Sequence, residues 1–272
     1  MEYKLLAADM DGTALDDNKN LGKRTVKAME RAIASGKTVL FSTGRSISLV
    51  KPYIDMVHGM RYAVTASGAS VLDLETGEKL LYKTIDPETV KYIIAQASGR
   101  YVMPVMFIDS KSYSSRWCVD SCADFGFSAY EPIYRECMNI VDDVFAMYME
   151  KPEPVEKFNL FFANDYEAAE VLEKLRELPV TFTCATDTSL EINASGVSKA
   201  EGLKTLCARL GIEPNECIAV GDSENDEPML KLAGLSAATA NGTDKVKAMA
   251  DIIATDCNND PVAQIIDEYL LA

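Results

Sequence analysis

Short apolar runs and amphipathic segments alternate along both ends of this chain, and that alternation limits the fold more than any other feature. Runs of β type fall at Tyr3 to Ala8, Thr38 to Ser42, Tyr62 to Thr65, Cys217 to Val220 and Asp251 to Ala254. Between them, Lys23 to Ser35, Ser46 to Met56, Lys199 to Leu210 and Glu224 to Leu232 carry apolar residues at helical spacing and close on glycine or a polar cluster. Repeated strand and helix predict a parallel sheet covered by helices, with its ligand site outside the carboxyl ends of the strands.

The middle of the chain breaks the pattern. From about residue 84 to 190 the order reads helix, two strands, an irregular stretch, then strand, helix and two strands. Asp86-Pro87-Glu88 opens the first of these helices and Gly99 closes it. Asn164-Asp165 opens the second, with Ala168, Val171, Leu172 and Leu175 as its apolar stripe. Asp109-Ser110 and Asp187-Thr188 read as hairpin turns. The expected fold is therefore α/β: a Rossmann-like parallel sheet core from residues 1–83 and 191–272, with an inserted α+β domain over 84–190. A chain of 272 residues has room for both.

Composition narrows the chemistry. The single histidine, His58, argues against a histidine-dependent nucleophile or a poly-histidine zinc site; it follows a helix near Gly59 and reads as a helix-end residue. Twenty-seven Lys and Arg against 42 Asp and Glu leave a net charge of −15, unsuited to nucleic acid or an anionic membrane, so a small molecule is the expected partner. The start Met1-Glu2-Tyr3-Lys4 does not fit a secretory signal and no stretch approaches the ~20 apolar residues of a membrane span, so a cytoplasmic location is expected. The seven cysteines lack CxxC spacing and are read as reduced, with Cys118 and Cys122 on one helix turn.

Four polar stretches carry the chemistry. Asp9-Met10-Asp11-Gly12-Thr13 follows the first strand, and residues two apart in extended backbone point the same way, so both carboxylates can face one site. Mg²⁺ would relieve their repulsion, although the same residues also fit a polar turn ending a strand. Ser42-Thr43-Gly44-Arg45 offers a hydroxyl and backbone amides to an oxyanion, or simply caps a helix. Ser198-Lys199-Ala200-Glu201 fits a capping box that sets Lys199 in the first turn of a helix, where the dipole disfavours a cation unless an anion lies between. Gly221-Asp222-Ser223-Glu224-Asn225-Asp226 follows another strand; capping explains Asp226 but not Asp222, which stands where a metal ligand would.

In these four stretches, in Met229-Leu230, in Ala240-Asn241-Gly242 and in Ala250-Asp251-Ile252-Ile253-Ala254-Thr255, the chain resembles the haloacid dehalogenase superfamily, in its Cof-type branch with a large α/β cap of type II, subclass b. Ser67-Gly68-Ala69 departs from the usual Asn-Gly-Ala, and Asp260-Pro261 from the usual Asp-Gly. The resemblance implies a phosphatase acting on small monoesters such as sugar phosphates, pyridoxal phosphate or flavin mononucleotide through an aspartyl-phosphate. It makes Asp9 the nucleophile and Asp11 the general acid and base, with Lys199 compensating charge beside them. It assigns Thr43, Gly44, Lys199 and Asn225 to the phosphate, and Asp9, Asp11 through its carbonyl, and Asp222 to Mg²⁺, with Asp226 behind them.

The same resemblance makes the insert a cap that excludes water and adds the leaving-group pocket, with hinges near Tyr82-Lys83 and Ile192-Asn193. Arg116, Trp117 and Tyr148 are candidates to reach the substrate, against the plainer reading as packing or surface residues. A monomer or weak homodimer is expected. Two rival functions are a phosphomannomutase-like phosphosugar mutase, which would yield an isomeric sugar phosphate, and a non-catalytic phospho-metabolite-binding regulator, which has no need of Asp11. A signalling receiver domain also uses aspartates, a hydroxyl, a lysine and Mg²⁺, but is less than half this length.

Overall fold

A computed structural model describes residues 2–183 and 186–272. The chain opens with β1 (Leu5–Ala8), α1 (Lys23–Ala34), β2 (Thr38–Ser42), α2 (Ile47–Ile54), β3 (Tyr62–Thr65), β4 (Ser70–Asp73) and β5 (Lys79–Tyr82). The insert follows with α3 (Pro87–Ala97), β6 (Val102–Ile108), β7 (Lys111–Ser115), α4 (Arg116–Asp120), α5 (Glu131–Cys137), β8 (Asn139–Val141), α6 (Val144–Glu150), β9 (Val155–Phe162), α7 (Asp165–Leu175), β10 (Val180–Thr183) and β11 (Ser189–Ala194). The alternation then resumes with α8 (Lys199–Leu210), β12 (Cys217–Gly221), α9 (Glu227–Leu232), β13 (Leu235–Thr239), α10 (Asp244–Met249), β14 (Ile252–Ala254) and α11 (Pro261–Ile265).

Two compact units result. One comprises Met1–Arg45, Val50–Tyr82 and Ser198–Ala272; the other comprises Lys83–Val197 with Ser46–Leu49. The chain passes between them at Tyr82–Lys83 and Val197–Ser198, while Ile192 and Asn193 lie inside β11.

The first unit is an eight-stranded sheet in the order β14-β13-β12-β1-β2-β3-β4-β5. Its pairings are parallel from β14 to β3, as the alternation predicts, but β4 and β5 add an antiparallel hairpin at one edge. Connections leave β1 toward β2 on one side, and the later strands build outward from β12 on the other, so the order reverses at the β1/β12 pair. An open sheet binds ligands at such a crevice. Leu5, Ala7, Leu40, Val64 and Ala219 pack in one apolar cluster with Leu203, Leu206 and Cys207 of α8. Ser198 caps α8 through the Glu201 amide, and Gly211 at φ +66 ends it. The helix expected over Glu224 to Leu232 is divided: a 3-10 turn covers Glu224–Asp226 before α9 begins.

The second unit is a six-stranded sheet, β10-β11-β9-β6-β7-β8. Its long pairings are antiparallel; β7 and β8 run parallel. Asp86 caps α3 ahead of Pro87, and Asn164 caps α7. Val90, Ile93 and Ile94 of α3 meet Ala168, Val171 and Leu175 of α7 over Phe158, Leu160, Phe162, Leu190 and Ile192 of the sheet. Asp109 and Ser110 both take positive φ, as a two-residue hairpin turn requires. Asp187 and Thr188 lie between the paired strands β10 and β11.

The irregular stretch holds α4, two 3-10 turns, α5, β8 and α6; Cys118 lies in α4 and Cys122 opens the turn after it. The six described cysteines are unbridged, and Cys184 lies outside the described residues. No helix of the described residues is long and apolar enough to cross a membrane.

Candidate active site

Parallel register brings the first two carboxylates together. Ala8 of β1 pairs with Val220 of β12, and the Asp9 amide donates to the Val220 carbonyl at 2.9 Å, so Asp9 and Asp222 leave neighbouring strand ends. Gly12 then turns the chain at φ +78, where a Cβ would come to 2.5 Å from Asp222 Oδ2. Thr13 Oγ1 donates to Asp222 Oδ1 at 3.2 Å. Thr239 Oγ1 and Asn241 Nδ2 both donate to the Gly12 carbonyl, fixing the turn from β13 and the loop beyond it.

Lys199 lies fully buried, with Nζ 2.5 Å from Asp9 Oδ1 and 2.6 Å from Asp226 Oδ1. Those two carboxylates are the anions its place at a helix start requires. Asp226 serves twice, because its Oδ2 accepts from the Asp222 and Ser223 amides in the capping box of the turn. Ser223 Oγ donates to Asn225 Oδ1 at 3.0 Å.

One carboxylate oxygen from each of Asp9, Asp222 and Asp226 lies within 4.8 Å of the others. Lys199 supplies one positive charge against these three negative ones. Burial drives the Asp9 carboxyl well above the ordinary carboxylate range; Lys199 opposes this, while Asp226 and Asp222 add to it. Asp222 is pushed up to about 6, by burial first and then by Asp226. Burial alone would lower the Lys199 ammonium, but Asp226 and Asp9 outweigh it and raise it. An all-oxygen cluster with surplus negative charge suits a hard divalent cation.

Asp11 takes a partner that the sequence reading missed. Arg45 grips it with two bonds of 2.7 Å, Nε to Oδ2 and Nη2 to Oδ1, and Lys19 Nζ adds a contact of 3.1 Å. Tyr53 organises both cations: its ring lies 5.4 Å from the Arg45 guanidinium, and its hydroxyl donates to the Lys19 carbonyl. Arg45 stood in the Ser-Thr-Gly-Arg stretch, but its partner depends on tertiary structure.

Thr43 is buried, and its Oγ1 accepts from the Arg45 amide at 3.2 Å, which curls the loop after β2. That loop is held from β3, because the Ala66 and Ser67 amides donate to the Arg45 and Thr43 carbonyls. Ala66, Ser67 and Gly68 all take positive φ. A Cβ on Gly68 would lie 2.0 Å from the Ser198 carbonyl oxygen, so one tight turn touches both the loop carrying Thr43 and Gly44 and the start of α8.

The insert candidates resolve toward packing and surface. Tyr148 is fully buried in the apolar cluster under α3 and α7, where burial pushes its hydroxyl up to about 12. Trp117 stacks on Tyr101 at 5.6 Å, and Arg116 is exposed beside Asp142. His58 lies exposed in a turn after α2, its amide donating to Glu30.

A Rossmann-like sheet with an aspartate at the β1 end, a buried lysine and a further pair of aspartates after β12 defines a class of aspartate-centred hydrolases. The profile of the haloacid dehalogenase-like hydrolases matches residues 6–266. A 5-amino-6-(5-phospho-D-ribitylamino)uracil phosphatase of Bacillus subtilis is 29% identical over 100% of this chain and 97% of its own. A putative phosphatase of the same species is 28% identical over 99% of each chain. A solved haloacid dehalogenase-like hydrolase from Bacteroides thetaiotaomicron superposes with a TM-score of 0.84 at 22% identity, covering 98% of this chain and 99% of that one. A subclass IIB sugar phosphatase superposes with a TM-score of 0.79 at 21% identity over 99% and 100% of the two chains. The chain belongs to the haloacid dehalogenase-like hydrolase family, and it is an enzyme of the phosphoric monoester hydrolase class.

Proposed function

We propose that the chain hydrolyses small phosphate monoesters, sugar phosphates or related phosphorylated metabolites, in a Mg²⁺-dependent reaction through an aspartyl-phosphate on Asp9. The observation that carries this reading is the meeting of Asp9, Lys199, Asp226 and Asp222 at the carboxyl ends of β1 and β12. The carboxylates of Asp9 and Asp222 with the Asp11 carbonyl would hold the metal, and Asp226 would support them. Bound there, Mg²⁺ supplies positive charge between an anionic nucleophile and an anionic substrate.

Lys199 orients Asp9 and offsets charge developing on the phosphoryl oxygens, which Thr43, Gly44 and Asn225 also receive. An Asp9 oxygen attacks phosphorus in line as the bond to the ester oxygen breaks. Asp11 gives its proton to the departing alcohol. It then takes a proton from the water that attacks phosphorus, releasing phosphate and freeing Asp9. The Arg45 and Lys19 contacts favour the ionised Asp11 carboxylate, which suits the base step, and the acid step requires a protonated Asp11 released from that grip. The insert, residues 84–190, is assigned to substrate selection.

Hydrolysis of p-nitrophenyl phosphate tests the reading. Turnover is expected with Mg²⁺, with loss on adding EDTA and in Asp9→Asn. Undiminished turnover by Asp9→Asn would sink it.

A further inference from the structure

Val50, Tyr53 and Ile54 recur at helical spacing on α2, and all three are buried. Filling that place needs only an apolar side chain, and a phenylalanine would do it. The Tyr53 hydroxyl is what packing leaves unexplained. It accepts from Arg45 Nη1 at 3.4 Å and donates to the Lys19 carbonyl at 2.9 Å, so one oxygen ties together the two residues whose cations hold Asp11.

Each tie restrains one half of that grip. Arg45 gives Nε and Nη2 to the two Asp11 oxygens; its remaining nitrogen meets the Tyr53 hydroxyl, and its guanidinium lies 5.4 Å from the centre of the Tyr53 ring. The fork is thus held from behind as well as from in front. Lys19 takes φ +63, a left-handed conformation that residues with a Cβ rarely adopt. Its amide donates to the Asp16 carbonyl at 2.9 Å and the Asp16 amide donates to the Asn20 carbonyl at 3.0 Å, which closes a turn that the Tyr53 hydroxyl holds through the Lys19 carbonyl. The backbone that aims Lys19 at Asp11 is pinned by the same oxygen that steadies Arg45.

We propose that Tyr53 is a positioning residue for the water-attack step: through Arg45 and Lys19 it holds the Asp11 carboxylate where it takes a proton from the water that hydrolyses the aspartyl-phosphate. The proposal rests on the reading of Asp9 as nucleophile and Asp11 as base. In that step the water oxygen bonds to phosphorus, the bond from phosphorus to the Asp9 oxygen breaks, and the water proton passes to Asp11.

Rapid-quench kinetics of the full chain with Mg²⁺ and p-nitrophenyl phosphate separate the two steps. Release of nitrophenolate reports phosphorylation of the chain; loss of phosphate from the chain once the ester is removed, followed by intact mass, reports water attack. Nitrophenolate leaves without a proton from Asp11, so the first step is expected to keep its rate within about twofold in Tyr53→Leu and Tyr53→Phe. Dephosphorylation is expected to slow about tenfold in Tyr53→Leu, and by a smaller factor in Tyr53→Phe, which keeps the ring beside Arg45 and loses the hydroxyl alone. Tyr53→Phe, a change of one oxygen, carries the test by itself should the leucine variant fail to fold. Dephosphorylation at the parent rate, or both steps slowed alike as a general loosening of the core would do, overturns the proposal. If the parent chain does not hydrolyse the ester, or does so without ever carrying phosphate, the reading of Asp9 falls by itself, and a crystal structure of Tyr53→Phe then decides the positioning: a displaced Arg45 fork upholds it, and a fork still in place on Asp11 overturns it.

Discussion

At Asp11 and Asp73 the same device appears, a carboxylate gripped by an arginine fork, with different consequences. Arg45 and Lys19 hold Asp11 beside the site, where on the proposed reading its orientation governs proton transfer. Asp73 is remote from it and 1% exposed; Arg61 and the Glu75 and Thr76 amides all donate to it. The Arg61 bonds come first among the causes that hold its carboxyl below the usual range, with burial opposing them. The folded value lies below the unfolded one, so this pairing stabilises the fold above the unfolded value of about 3.9 and fades as pH falls through the folded value. Asp73→Asn is therefore expected to cost about 1–3 kcal/mol near pH 7, and less near pH 3, where the loss has begun. Urea unfolding at both pH values checks this, and an equal cost at both would contradict it.

Among the elements, the tight turn Ala66–Gly68 has the widest reach. It ties the loop after β2 by two backbone bonds and lies against the Ser198 carbonyl at the start of α8. Gly68 meets that carbonyl at φ +97, so a methyl group has no room and the backbone no easy alternative. Gly68→Ala should push the α8 start away and carry Lys199 off Asp9, lowering the melting temperature and kcat together. A variant with parental stability and kcat would show that the turn does not position Lys199.

Elements with strong periodicity were readable before the structure: α1, β2, β3 and α8 stand within a residue of their expected ends. The β4–β5 hairpin and β13 were not. β13 reads Leu-Ser-Ala-Ala-Thr, mostly small residues with Thr239 as its one β-branched side chain, and it forms because β12 and β14 lie on either side. The helix after Asp222 is interrupted because the Asp226 side chain takes the Asp222 and Ser223 amides, which shapes a tight turn first.

Across the whole molecule, the net charge of −15 persists at the site, where Asp9, Asp11, Asp222 and Asp226 outnumber Lys199, Arg45 and Lys19, so a bound divalent cation would be what tips the balance toward an anionic substrate. The four polar stretches were readable as one site because each ends a strand or starts a helix, positions that parallel register draws together. The Arg45 grip on Asp11 was hidden, since side-chain pairing across 34 residues leaves no periodic trace.

The central claim is covalent, so the direct measurement is peptide mass spectrometry of Asp11→Asn after exposure to Mg²⁺ and p-nitrophenyl phosphate, whose acidic phenol leaves without the proton that Asp11 would give. Without its general base the second step should stall. Phosphate is predicted on the peptide carrying the Asp9 side chain, and to be absent when Asp9→Asn is added. Phosphate on another residue, or an unmodified chain while the parent enzyme turns over the same ester, would contradict an aspartyl-phosphate on Asp9.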